Sequence, residues 1–88
     1  MAWSVELSRT ATRQITKLDH VPQERIVRFL RERIATGQNP RQRGKALRGE
    51  KRELWAYRVG DYRIICDVQD ERSTVPVLWV AHRKEAYR

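Results

Sequence analysis

Cysteine is nearly absent: Cys66 stands alone in 88 residues, which rules out an intramolecular disulfide. With two histidines and no Cys/His grouping at ligand spacing, there is no zinc motif, and no metal or cofactor is expected. No apolar run approaches the length needed to span a bilayer, so no membrane role is expected. The stretch from Met1 to Leu7 lacks a basic segment followed by an apolar one, and the expected compartment is the cytoplasm. Acidic residues are also scarce, 11 against 19 Lys and Arg, leaving a net charge of +8 and a pI near 10.6.

A surplus of that size favours a polyanionic partner. Fifteen of the cations are Arg and four are Lys. The planar guanidinium grips phosphate through two donors and stacks on bases, which points to nucleic acid. GC-rich coding also enriches Arg over Lys, so composition by itself supports both readings. At 40% hydrophobic and 34% charged residues, the chain has enough apolar content for one small core beneath a solvated surface. A single domain, 1–88, is expected.

Trp3, Val5 and Leu7 alternate with Ser4 and Glu6, predicting a strand over residues 2–7 with one buried face. Ser8 then stands at a helix N-cap position. Ala11, Ile15 and Leu18 follow on one helical face, with Arg9, Arg13 and Lys17 outside it. The run from Asp19 to Pro22 breaks this helix and opens a second, patterned by Ile26, Phe29, Leu30 and Ile34 and ended by Gly37. Residues 37–52 are rich in Gly, Pro and cations and read as a basic loop anchored by Leu47. Three strands are expected after it: Leu54 to Val59, Tyr62 to Val68 and Val75 to Ala81. Gly60-Asp61 closes the first hairpin, and residues 70–73 turn the second strand into the third. The expected fold is α+β, ordered β-α-α-β-β-β, with a helical pair on one face of a mostly antiparallel sheet. The uncovered face, flanked by the basic loop and the Arg-rich C-terminal segment, would form a cationic groove suited to one strand of nucleic acid.

The string LWAYRVGDYRIIC at 54–66, followed by VAHRKEAYR at 80–88, closely resembles the C-terminal half of RelE-type toxins. KALRG at 45–49 resembles the K-x-L-x-G segment that precedes it in that family, and the order of elements agrees along essentially the whole chain. The resemblance, to the RelE/ParE superfamily and its RelE-like mRNA interferase branch, implies a toxin of a type II toxin–antitoxin system. It implies a metal-independent endoribonuclease that cuts mRNA in the ribosomal A site, using the RNA's own 2′-hydroxyl as nucleophile. The partners it implies are a cognate acidic antitoxin, mRNA and the ribosome with its ribosomal RNA.

Carried over by position, Arg63 would hold the scissile phosphate, and Arg83 would stabilise charge at the leaving oxygen. Tyr87 would stack on or hydrogen-bond to the substrate, or else anchor the C-terminal tail. His82 is a candidate acid or base, with a structural role as the alternative. Lys45, Arg48, Arg58 and Lys84 are expected RNA contacts. Trp55, Tyr57 and Trp79 would either stack on bases or join the core. The chain departs from the family where the resemblance expects strand lysines before the hairpin, because Leu54 and Ala56 occupy those positions. Ala56 thus replaces an expected catalytic lysine. Either His82, Lys45 or Lys84 substitutes for it, or cleavage is weakened or lost. A ParE-like inhibitor of DNA gyrase would use the same fold without cutting RNA, so it stands as the alternative function.

Overall fold

The computed structural model describes residues 3–47 and 53–83. Strand β1 (Ser4–Leu7) leads into α1 (Arg9–Thr16) and α2 (His20–Phe29), whose axis continues through a π-helical stretch, Leu30–Ile34. A short 3₁₀ turn, Pro40–Gln42, precedes β2 (Lys45–Leu47). The chain then closes with β3 (Leu54–Val59), β4 (Tyr62–Cys66) and β5 (Thr74–His82). The five strands form one sheet in the order β1-β5-β4-β3-β2, antiparallel except for the parallel pair β1/β5.

The α+β arrangement agrees with the sequence reading, with one correction: the segment expected to be a basic loop contains an edge strand. Lys45, Ala46 and Leu47 pair with Ala56, Trp55 and Leu54. Three residues are too few for a hydrophobic period to register. Gly44 admits this pairing, because at φ +77° it lies so close to β3 that any Cβ would collide with the Ala56 carbonyl oxygen. The segment before it is held by three aromatic side chains, each donating to a loop carbonyl: Trp3 Nε1 to Gln38 O (3.1 Å), Trp55 Nε1 to Arg43 O (2.6 Å) and Tyr57 Oη to Pro40 O (2.6 Å). The last two strands also differ by a residue or two from expectation. β4 stops at Cys66 and β5 reaches His82.

The main core lies between the helices and one sheet face. Ala11, Ile15, Ile26, Leu30 and Ile34 meet Tyr57, Ile64, Cys66, Val75, Val77 and Val80 there. Each such aliphatic residue contributes about 1.5–3 kcal/mol by leaving water. A smaller apolar cluster of Leu54, Ala56 and Ile65, with Leu47, Leu78 and Trp79 against it, occupies the opposite face.

The two faces exchange parity along β5. Ile65 is opposite Trp79 but Cys66 is opposite Val77, so Leu78 is an inserted bulge residue. Val75 and Val77 face the helices. After the bulge Val80 does so, leaving Trp79 on the open face. Helix α1 holds this irregularity in place. Ser8 caps the helix by accepting from Ala11 N (3.0 Å), and its hydroxyl donates to Leu78 O (2.5 Å). Gln14 Oε1 accepts from Val80 N (2.7 Å). Gln14 was not marked by sequence reasoning; the available signal was an amide side chain near the Ala11/Ile15/Leu18 stripe.

Replacing Gln14 with Leu leaves the Val80 N–H without an acceptor, and we expect a loss of about 1–3 kcal/mol in urea unfolding. Burial pushes the Cys66 thiol up from 9.0 to about 12 and raises the Tyr57 phenol as well. The unfolded chain therefore releases these protons first as pH rises. The stability that these groups provide is complete below about pH 9 and declines toward pH 12. Urea midpoints across that range will fall less steeply in Cys66→Ala than in the parent.

Candidate nucleic-acid interface

The open face of the sheet carries the site. On it β2 and β3 set Lys45 beside Ala56, and β3 and β4 set Arg58 directly opposite Arg63. Paired residues on neighbouring strands share a face, so Lys45, Ala56, Arg58 and Arg63 form one patch. They line a groove of about 460 Å³ whose wall is completed by Gly44 and Leu47. Arg58 and Arg63 also line an adjoining depression with Asp61 and Arg83. Three arginines thus converge where the two hollows meet.

Arg83 reaches this place because the β5 bulge moves odd-numbered residues from the helix face to the open face. Its backbone N–H donates to Asp61 O (2.6 Å), and its guanidinium lies 3.8 Å from the Asp61 carboxylate. Like charges placed directly across two strands are mutually destabilising. The Arg58/Arg63 pair therefore concentrates positive charge on the open face, a potential that a phosphate would relieve. Donors in a guanidinium fork suit such an anion, since two N–H groups can meet two of its oxygens at once.

His82 does not join the arginines. It pairs with Tyr62 across β4 and β5, and the two rings meet edge to face with centroids 5.1 Å apart, at the end of the sheet nearest the start of α2. Of the three strand aromatics, Tyr57 is core, at 1% exposure, and Trp55 packs against the same core, while Trp79 lies on the open face over Ile65. Arg48, Lys84 and Tyr87 fall outside the described residues. Among the described residues no cluster of three or more metal-ligating side chains occurs, and no helix is long and apolar enough to cross a membrane.

The fold and the family match together place the chain in the class of small toxins from type II toxin–antitoxin systems. The chain matches the family described as ParE toxin of type II toxin-antitoxin system, parDE, over residues 5–87, and it belongs to that family within the RelE/ParE superfamily. It is 33% identical over 88 residues to Toxin RelG of Mycobacterium tuberculosis, covering 100% of this chain and 99% of that one. Toxin RelE of the same organism is 29% identical over 86 residues, covering 98% and 87% of the two chains. Among solved structures, the toxin–antitoxin complex RelBE2 of M. tuberculosis superposes with a TM-score of 0.84 at 31% identity, covering 94% of this chain and 100% of that one. The chain is a RelE-like toxin of a type II system.

Replacing Arg58 with Thr separates folding from binding. We expect thermal stability to hold or rise by about 0.2–1 kcal/mol as the cross-strand repulsion is relieved. Affinity for single-stranded RNA should fall in the same variant, and the slope of log K against log salt should flatten by about 0.7, as for one lost phosphate contact.

Proposed function

We propose that this toxin is a ribosome-dependent mRNA endonuclease that cuts in the A site. The observation that carries the reading is the convergence of Arg58, Arg63 and Arg83 at one end of a groove that also holds Lys45. The 2′-oxygen attacks the adjacent phosphorus, the bond to the 5′-oxygen breaks, and the products are a 2′,3′-cyclic phosphate and a free 5′-hydroxyl. Negative charge grows on the non-bridging oxygens in the transition state, and guanidinium donors fixed in advance stabilise it without reorganisation. Arg63 serves the scissile phosphate, Arg83 the leaving oxygen, and Arg58 the neighbouring backbone.

Lys45 takes the place of the missing strand lysine. It is paired with Ala56 on the adjacent strand, so its amine can reach the space an Ala56 lysine would occupy. Small size at Ala56 leaves the groove floor open for it. Of Lys45 and His82, the two substitutes among the described residues, Lys45 is the one lining the groove, and we assign it the 2′-hydroxyl end of the reaction. His82 lies on the other face of the sheet, which weighs against its use as acid or base.

In the resting cell the toxin is held by an acidic antitoxin, and the cytoplasm is where it meets ribosomes. The toxin–antitoxin complex of the M. tuberculosis relative supports such a partner. An acidic segment across the arginines would compete with RNA for the same donors, and charge complementarity would speed its capture. The match to a ParE toxin family favours a second reading, inhibition of DNA gyrase through protein contact.

Programmed 70S ribosomes carrying a defined mRNA test the proposal, with EDTA present to check independence from metal. We expect A-site cuts by the parent, a loss of roughly 10²-fold or more in Lys45→Ala or Arg63→Ala, and recovery when Ala56→Lys is added to Lys45→Ala. Cutting by Ala56→Lys but not by the parent would mark a disabled enzyme. Absence of cutting by every variant, together with inhibition of gyrase supercoiling, would overturn the nuclease in favour of the second reading.

A further inference from the structure

A second hollow, of about 210 Å³, lies on the helix side of the β3/β4 hairpin, where the first turn of α2 approaches the hairpin tip. Its lining joins three kinds of surface. Val21, 65% exposed, and Pro22 supply an apolar rim, and the edge-to-face rings of Tyr62 and His82 supply an aromatic wall. Arg25 supplies a cation.

The guanidinium of Arg25 extends over the turn, since a methyl group on Gly60 would lie 3.3 Å from one of its nitrogens. Among the described residues no carboxylate pairs with Arg25. The one carboxylate lining the hollow, Asp61, lies 3.8 Å from Arg83 instead. Asp61 and Tyr62 line this hollow and also the arginine-lined depression on the open face, so the two lie on either side of the hairpin tip.

From this adjacency we propose that the hollow is a nucleotide subsite, into which an RNA strand leaving the groove turns and places its next base and phosphate. The proposal rests on the nuclease reading for its substrate and adds an element that the reaction itself does not require. Tyr62 and His82 present ring surface to the base, as aromatic platforms do for single strands. Arg25 meets the phosphate that follows it, and Val21 with Pro22 closes the apolar side. The subsite gives His82 a positioning role in place of an acid–base one. It also makes the two-residue turn Gly60-Asp61 the edge over which the strand bends.

Fluorescence anisotropy with 2′-O-methyl RNA, which binds but cannot be cut, provides the test. Two lengths serve, about four nucleotides to fill the groove and about eight to reach past the hairpin. We expect Arg25→Gln to bind the short RNA like the parent and the long RNA about tenfold more weakly, with the salt slope flattened by about 0.7 for the long RNA alone. Arg25→Lys should restore the slope. Val21→Asp, an independent change at an exposed rim, should weaken the long RNA selectively as well. Equal weakening at both lengths, or none at either in both variants, would overturn the subsite while leaving the groove intact. Failure of the parent to bind either RNA would overturn the subsite as an RNA site of the free toxin, while the nuclease reading stands or falls separately by cleavage on programmed ribosomes.

Discussion

The β-bulge at Leu78 is the constraint on which the arrangement of the site depends. Strand parity inverts there, so Val75 and Val77 before it and Val80 after it all point into the helix-covered core. Without the extra residue, Trp79, Ala81 and Arg83 would fall on the helix face, and Arg83 would be turned away from Arg63. An inserted residue interrupts the ladder and leaves backbone groups to be satisfied elsewhere. Helix α1 meets both needs, with Ser8 donating to the Leu78 carbonyl and Gln14 accepting from the Val80 N–H. A helix cap and one amide side chain therefore decide which face of the sheet bears the third arginine.

The same sheet sets stability against binding. On the helix side burial is complete enough to push the Cys66 thiol far above its ordinary range, and the only polar group of Tyr57 is satisfied by a loop carbonyl. On the open side two arginines are held opposite each other, and the apolar cluster beneath them is small. An anion would resolve that conflict, in the proposed reading the phosphate of an RNA strand or a carboxylate of the antitoxin. Under that proposal, competition between the two for one set of donors would be a direct route by which an acidic partner silences a basic toxin.

Loop anchoring links the core to the groove. Trp55 and Tyr57 sit on the core side of β3, yet their polar ends reach Arg43 O and Pro40 O, just ahead of β2. Gly44 then brings the chain close enough to pair, and Lys45 arrives beside Ala56. The aromatics considered as base-stacking candidates are thus mostly structural. Through the loop they hold, they fix the position of the cation that stands where a strand lysine is absent.

Period-two alternation, the Ser8 cap and the Gly60-Asp61 turn were local signals, and they determined the elements, the α+β class and the hairpin carrying Arg58 and Arg63. Charge balance and the strings at 54–66 and 80–88 pointed to the toxin family. Two things were decided only by tertiary structure. One is β2: a three-residue strand has no readable period, and it exists because Gly44 and the aromatic anchors bring it against β3. The other is the face on which the residues after Leu78 lie. A bulge shifts parity by one residue without leaving a mark in the hydrophobic pattern, and here it is held by hydrogen bonds with Gln14, which accepts, and Ser8, which donates, 66 and 70 residues away in sequence. Sequence alone therefore named Arg83 and His82 as neighbours in the site, and the fold set Arg83 beside Arg63 and His82 on the opposite side of the sheet.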